Sequence, residues 1–356
     1  MISARSYSEE WIEQILSNTG STNYGLAEKM IYAFTLLEQL ALNNLSFVFK
    51  GGTSLALLMP ELHRFSKDID ILMDNRPDNL EKVFDDIVAN SPFTRWENSP
   101  REPEFDVPKE HFKFYYSLSR PGRFDEEPIL LDILYGESSY PAVQQIDLNH
   151  SLLHTKKPFT KVTLPTVEGM TGDKLTAFAP QTLGIPFGKN KSVEIVKQLF
   201  DLHQLLGYCV QWNDVAQSFH HTANTVAGYY KKKVTLAEVV DDILQTAFIL
   251  GMRGKVEMDY FKEMKQGIDG LNNYLMGRRF TLPAAITASA RVARLALSIK
   301  LGIDYEPISL KNMDPKNLKK LNLKNPQYNA LNKPLKKGYT EAWIEWIEIE
   351  NLTESL

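Results

Sequence analysis

Three aspartates and a pair of glycines are the residues of this sequence whose types and spacing fit a chemical role. Asp68 and Asp70 stand two positions apart in the apolar run "DIDILMD", residues 68 to 74. Side chains at positions i and i+2 of a strand point to the same side, so these two carboxylates share a face. Like charges held this close repel each other, and a divalent cation is the usual reason to keep both ionised.

A third carboxylate occupies a similar setting further along the chain. Asp132 interrupts the strand-like run "PILLDILYG", residues 128 to 136, between apolar neighbours. It is a candidate to reach the same cation as Asp68 and Asp70, and the alternative is an edge-strand residue that faces water. Spacing alone leaves both readings open.

The paired glycines end a short β-rich run and precede a helical pattern. "FVFK", residues 47 to 50, leads into Gly51-Gly52, and "TSLALLMPEL" follows as a short helix. We expect Thr53 or Ser54 to cap this helix or to meet an anion, because backbone N–H groups at a helix N-terminus favour phosphate. The glycines have a simpler alternative role, which is to permit a tight turn with positive φ.

These parts together are those needed for nucleotidyl transfer. The turn at Gly52-Thr53 would hold a triphosphate, and Asp68 and Asp70 would bind two divalent ions that orient its α-phosphate. Asp132 would be a further metal ligand and would help to activate the attacking hydroxyl. All proposed protein ligands are oxygens, so we predict Mg²⁺, with Mn²⁺ as the other candidate.

The same residues resemble a known family. "KGGTSL" followed by "RFSKDIDIL" is similar to the signature of the AbiEii/AbiGii and MenT-type nucleotidyltransferase toxins, within the DNA polymerase β-like nucleotidyltransferase superfamily. The spacing from Gly52-Thr53 to Asp68 is longer than in the generic polymerase β-like pattern and suits the toxin branch. The resemblance also implies roles for Lys174 in "DKLTAF" and for Asp201 in "KQLFDLHQLL".

In that family picture Lys174 meets the triphosphate as a flexible point charge, and Asp201 orients Lys174 or positions the nucleotide. Lys50 and Arg64 flank the turn and the acidic strand, where each is either a substrate contact or part of a structural ion pair. The predicted catalytic residues are Asp68, Asp70, Asp132, Lys174 and Asp201. The predicted nucleotide-binding residues are Gly51, Gly52, Thr53, Ser54, Arg64, Ser66 and Lys174.

The resemblance implies transfer of a nucleoside monophosphate from an NTP to an acceptor, which for related toxins is the 3′ end of tRNA. It also implies a place in toxin–antitoxin and phage abortive-infection systems, with an AbiEi-like antitoxin as partner. Two alternatives remain open at this point. One is a nucleotidyltransferase that modifies a small molecule or a protein hydroxyl, and the other is a non-catalytic protein that senses nucleotide.

The elements that must position these residues divide the chain in two. Helical spacing at 25 to 42 and 78 to 90, with strands at 111 to 120 and 128 to 136, predicts an α+β nucleotidyltransferase domain with a mixed sheet over residues 1–165. From there the amphipathic pattern is helical, in segments such as "SVEIVKQLFDLHQLLGY" and "PAAITASARVARLALSIKLG". We therefore predict a mainly α-helical domain over residues 166–356, with "YTEAWIEWIEIENL" as its closing helix.

Composition sets the broad class. The chain has 356 residues, 43% of them hydrophobic, with a formal net charge of -4, so the charge as a whole does not indicate a nucleic-acid binder. The single cysteine, Cys209, excludes an intramolecular disulfide or a cysteine-rich zinc site and favours the cytoplasm. Residues 1 to 20 lack the apolar core of a signal peptide, and no segment reaches the roughly 18 apolar residues of a membrane span.

The remaining polar groups give weaker indications. His203 and the pair His220-His221 lack metalloprotease spacing, and we assign them structural or surface roles. Residues 231 to 233, 278 to 279 and the Lys/Asn-rich segment 311–337 are basic. We expect solvated charges there, with an RNA-facing surface as the alternative.

Overall fold

The structure is a computed structural model that describes residues 1–61, 63–100, 107–120, 125–309, 318 and 320–354. The chain forms two compact units. The first comprises Met1–Thr166 and Asn273–Arg279, and the second comprises Val167–Asn272 and Phe280–Leu356. The predicted boundary at 165/166, as a division between functional domains, stays a prediction.

A mixed five-stranded sheet lies at the centre of the described part of the first unit. Its spatial order is β1-β2-β5-β4-β3, with β2 and β5 parallel and the other neighbours antiparallel. A separate antiparallel pair is formed by β6 and β7. The strands are β1 (Val48–Lys50), β2 (Asp68–Met73), β3 (Phe93–Asn98), β4 (Lys109–Ser117), β5 (Glu126–Tyr135), β6 (Val143–Asp147) and β7 (Lys161–Pro165).

The described part of the first unit also contains five helical elements. They are a 3₁₀ turn at Ala4–Tyr7, α1 (Glu9–Thr19), α2 (Tyr24–Leu42), α3 (Gly51–Leu58) and α4 (Leu80–Asn90). Helix α2 packs against β2 and β5, where Ile69, Ile71, Leu131 and Ile133 are buried. Because side chains alternate along a strand, the neighbouring positions face the opposite side, which leaves that face for polar residues.

The short segment Asn273–Arg279 belongs to the first unit although both of its flanking helices belong to the second. Leu275 forms a β-bridge with Arg64, and the Phe65 N–H donates to the Tyr274 carbonyl at 2.8 Å. This pairing was not predicted, because a single bridge leaves no periodic pattern. It fixes the backbone that carries Arg64.

The second unit is helical. Its elements are α5 (Val167–Ala177), α6 (Ser192–Leu205), α7 (Trp212–Tyr229), α8 (Leu236–Met252), α9 (Met258–Leu271), α10 (Leu282–Leu301), a 3₁₀ turn at Asn329–Leu331, α11 (Asn332–Leu335) and α12 (Thr340–Glu354). Its core includes Phe219, Trp343 and Trp346, all fully buried. Cys209 is a free, buried residue of this unit.

Among the helices that the structure describes, α10 is the one that is long and apolar enough to cross a membrane. However, 67% of its apolar window is buried among neighbouring parts of the chain, as in the core helix of a water-soluble fold. Thr281 caps its N-terminus and Pro283 stands in its first turn, which are ordinary helix-start signals. Packing inside the helical unit accounts for its composition.

The predicted fold class is confirmed: a mixed sheet with helices is followed by a mainly helical region, including the closing helix. Strands β3 and β6 were not predicted, because polar residues such as Arg95 and Gln144 dilute their alternation. Most of the Lys/Asn-rich segment up to residue 319 lies outside the described residues. Its described remainder holds the 3₁₀ turn and α11, and its RNA-facing role stays a prediction.

Candidate active site

Four side chains form a row across four neighbouring strands of the sheet. Lys50 of β1 lies opposite Asp70 of β2, and Asp70 lies beside Asp132 of β5. Across the next pair, Asp132 lies opposite His111 of β4. Residues aligned in register project from the same face of a sheet, so the predicted carboxylates of β2 and β5 are direct neighbours.

The carboxylates of this row influence one another. The pKa of Asp70 is raised from its usual 3.8 to about 6, chiefly by burial and next by the charge of Asp132. Asp68 acts in the same direction, while Lys109 and Lys50 partly offset the increase. The folded chain therefore keeps repelling carboxylates together at a cost, and a bound cation would remove that cost.

The donor set fits a divalent cation that is shared with a substrate. Asp68 and Asp70 occupy one face of β2, and hard oxygen ligands suit Mg²⁺. Within the described ranges, no group of three or more His, Cys, Asp or Glu side chains is arranged to hold a metal by itself. Mg²⁺ commonly takes one or two carboxylates and completes its shell with phosphate oxygens and water. The role of Asp132 as a third ligand stays a prediction.

The paired glycines lie against this row. Gly51 has φ of +75°, and a Cβ atom there would lie 2.1 Å from Asp70 Oδ2. A Cβ atom at Gly52 would lie 2.4 Å from Arg64 Nη2 and 3.2 Å from Ser66 Oγ. Gly51 therefore requires glycine, for its backbone conformation as well as for space, whereas a side chain at Gly52 would force the Arg64 guanidinium group to shift.

Helix α3 begins at Gly51, two residues earlier than the predicted start after the glycines. Neither hydroxyl caps it, which corrects the capping prediction: Thr53 Oγ1 donates to the Asp68 carbonyl at 2.6 Å, and Ser54 Oγ donates to the Gly51 carbonyl at 2.8 Å. Lys50 occupies the N-cap position, and its side chain does not cap the helix. The Thr53 bond ties the first turn of the helix to the start of the acidic strand.

Arg64 and Ser66 lie beside the same helix start. Arg64 is buried and donates from Nη1 to the Phe65 carbonyl at 3.2 Å, while its other terminal nitrogen approaches Gly52. Lys50 places its ammonium group 5.6 Å from the ring centroid of Tyr140. The structure thus gathers the nucleotide-binding candidates of the first unit around the start of α3, and their contact with nucleotide stays a prediction.

Lys174 and Asp201 form an ion pair within the helical unit. Lys174 Nζ on α5 lies 2.9 Å from Asp201 Oδ2 on α6 and 3.0 Å from Gln198 Oε1. Both charged side chains are buried, with 8% and 2% of their surfaces exposed. Removing either partner of such a pair leaves the other charge buried without compensation, which lowers the stability of the fold strongly. Their roles toward nucleotide stay predictions.

His111 was missed by the sequence reasoning. Its Nδ1 lies 2.7 Å from Asp132 Oδ1, and both side chains are partly exposed. The available signal was the alternation in "KEHFKFYYS", where Lys109, His111 and Lys113 share the face opposite the buried Phe112 and Phe114. Register between β4 and β5 was needed to place this face beside Asp132, and spacing in the sequence does not supply it.

The family model for the AbiEii toxin, a nucleotidyltransferase of type IV toxin–antitoxin systems, matches residues 35–274. The chain belongs to the AbiEii family. The match contains the glycine turn, the three aspartates and the Lys174–Asp201 pair. As an AbiEii-family protein, the chain is a toxin-type nucleotidyltransferase, with an NTP as substrate and an antitoxin as partner. A search of curated proteins by sequence found no match.

Solved structures with partial similarity to this AbiEii-family protein include the following three. A protein from H. pylori described as a nucleotidyltransferase is 14% identical with a TM-score of 0.43, covering 78% of this chain and 97% of that chain. JHP933 from Helicobacter pylori is 16% identical with a TM-score of 0.41, covering 85% and 95%. An antigenic nucleotidyltransferase-like protein from Paracoccidioides brasiliensis is 14% identical with a TM-score of 0.36, covering 60% and 96%.

Proposed function

We propose that this AbiEii-family toxin transfers a nucleoside monophosphate from an NTP to a hydroxyl of RNA, with the 3′ end of tRNA as the favoured acceptor. The proposal is supported chiefly by the row of Lys50, Asp70, Asp132 and His111, with Gly51 directly against Asp70. This arrangement places a helix N-terminus, which favours phosphate, beside carboxylates that suit a cation.

The reaction is an in-line displacement at phosphorus. The acceptor oxygen forms a bond to the α-phosphorus, the bond to the bridging oxygen breaks, and pyrophosphate leaves. Asp132 accepts the proton of the attacking hydroxyl. Asp68 and Asp70 would hold Mg²⁺, which when bound supplies neutralisation of the charge that develops on the phosphate oxygens.

The remaining residues orient the triphosphate. The first backbone N–H groups of α3 have no partner within the helix, since an α-helix leaves its first four donors unsatisfied, so they can donate to phosphate oxygens. Arg64, held by the Leu275 bridge, adds a fixed positive charge beside Gly52. For Lys174 and Asp201, which pair with each other in the helical unit, we retain the roles that the family resemblance implies, which are phosphate contact and orientation of the ammonium group.

Labelling identifies the acceptor and the nucleotide together. The purified protein is incubated with Mg²⁺, a cell extract and each α-labelled NTP in turn, and the RNA, protein and small-molecule fractions are separated. We expect label in tRNA, removed by digestion from the 3′ end. Label confined to protein or to small molecules would replace the RNA proposal with one of the other transferase hypotheses.

Variants test the residues behind the transfer. Asp70→Asn should abolish labelling and growth arrest while the protein stays folded. Asp74→Asn is the matched control, because this exposed carboxylate follows the same strand. Toxicity that survives in Asp70→Asn would reject the assigned site. Binding of NTP without pyrophosphate release by wild type under every acceptor mixture would indicate a nucleotide sensor instead.

A further inference from the structure

We infer that His111 is a positioning residue for transfer, which holds the Asp132 carboxylate in the orientation that accepts the hydroxyl proton. The inference rests on the proposed function, in which Asp132 is the group that activates the acceptor. Its basis is the outer end of the row, where β4 and β5 place these two side chains opposite each other.

The direction of the hydrogen bond follows from chemistry. An ionised carboxylate only accepts hydrogen bonds, so the contact of 2.7 Å requires Nδ1 of His111 to carry the hydrogen and Asp132 Oδ1 to accept it. A bond to one carboxylate oxygen fixes the plane of the whole group. Hydrogen bonds of this outer kind orient the ligands and bases of active sites.

The His111–Asp132 pair is not part of the hydrophobic core. Its side chains retain 14% and 18% of their exposure, and they project from the sheet face opposite the buried Phe112 and Leu131. The apolar face of β5 already supplies packing against α2. A hydrogen bond on the polar face, next to Asp70, is placed to serve the reaction rather than the fold.

The hydrogen bond from His111 also counteracts the effect of repulsion between Asp70 and Asp132. Asp132 stands beside Asp70, and the charge of Asp132 is one cause of the raised pKa of Asp70. Repulsion from Asp70 favours rotation of the Asp132 carboxylate away from its neighbour. The imidazole holds it in place from the direction of β4.

Three substitutions at His111 test whether transfer depends on the position of the N–H donor or only on the presence of a side chain. His111→Asn places an amide N–H near the position of Nδ1, whereas His111→Gln places it near Nε2, and His111→Ala removes it. We expect Ala and Gln to lower kcat for pyrophosphate release by about 10- to 100-fold, the cost usual for outer-sphere partners, with KM for NTP nearly unchanged. Asn should recover most of kcat.

A second readout does not depend on turnover. Proton NMR should show a low-field imidazole N–H resonance that disappears in both His111→Gln and Asp132→Asn. Lys113→Gln is the matched control on the same face of β4, where Lys113 pairs with Glu97, and it should keep wild-type kcat and the resonance. Gln is nearer in size to His than Ala is, so it also serves if the Ala variant does not fold.

The outcomes distinguish this inference from the proposed function. If Asp70→Asn is inactive while all His111 variants keep wild-type kcat, the positioning role is wrong and the transferase proposal stands. Equal loss in Asn, Gln and Ala would also overturn the role, because the position of the donor would then not matter. If wild type itself transfers nothing with any acceptor, the proposed function fails, and the NMR resonance alone tests the hydrogen bond.

Discussion

Asp70→Asn is expected to stabilise the metal-free protein while it abolishes transfer. Asparagine keeps the size of the side chain and removes the charge that burial, Asp132 and Asp68 disfavour. A structural carboxylate with satisfied partners would show the opposite sign. The free energy of unfolding therefore distinguishes an acidic group kept for chemistry from one kept for the fold.

The size of the effect follows from the pKa. Folding raises the pKa of Asp70 from 3.8 to about 6. At about 1.4 kcal/mol per pH unit, the ionised carboxylate costs the folded state about 3 kcal/mol at neutral pH. Because the folded-state pKa is the higher one, this cost is absent below about pH 4, grows as pH rises, and is complete above about pH 6 to 7.

Urea unfolding in EDTA measures the difference. We expect Asp70→Asn to exceed wild type by about 3 kcal/mol near pH 7.5 and by about half of that near pH 5. The exposed Asp74→Asn control should stay within about 0.5 kcal/mol of wild type at both pH values. An Asp70→Asn protein less stable than wild type near pH 7.5, or a gain that does not shrink at low pH, would refute the reasoning.

Three further predictions concern the same framework. Gly51→Ala should abolish transfer and lower the melting temperature, because its Cβ would meet Asp70 Oδ2, whereas Gly188→Ala has a similar φ of +78° with open space around it and should keep full activity. Asp201→Asn should destabilise the fold by about 3–5 kcal/mol in urea unfolding, since it leaves the Lys174 ammonium buried without its counter-charge, and a smaller loss would contradict a buried pair. Mg²⁺ affinity measured by calorimetry should fall about tenfold per pH unit below about pH 6, because a proton on Asp70 competes with the cation, and a pH-independent affinity would exclude Asp70 as ligand.

Much of the fold was predictable because strong local patterns survive in it. The acidic strand and the Asp132 strand are apolar runs bounded by turns, and α6 and α10 have amphipathic spacing. The i, i+2 relation of Asp68 and Asp70 is a property of any strand. These elements follow from residues that are close in sequence.

The unpredicted parts depend on pairing between distant residues. Nothing in the sequence shows that β5 inserts between β2 and β4, so neither the alignment of Asp132 with Asp70 nor the partnership with His111 was derivable from spacing. The capping prediction for Thr53 was wrong for a related reason. Its hydroxyl donates to a carbonyl 15 positions away, whereas helix-start rules consider only bonds that the side chain accepts from nearby backbone N–H groups.

The detour through Asn273–Arg279 means that the unit with the candidate active site is not encoded by one continuous stretch of chain. A polypeptide released after Thr166 would lack the strip that pairs with His63 and Phe65, whose backbone groups would then meet only water. During synthesis, the arginine beside the glycine turn acquires its final support only after about a hundred more residues have left the ribosome. Nascent chains of this toxin would therefore remain incomplete at their nucleotide site until most of the helical unit has been made.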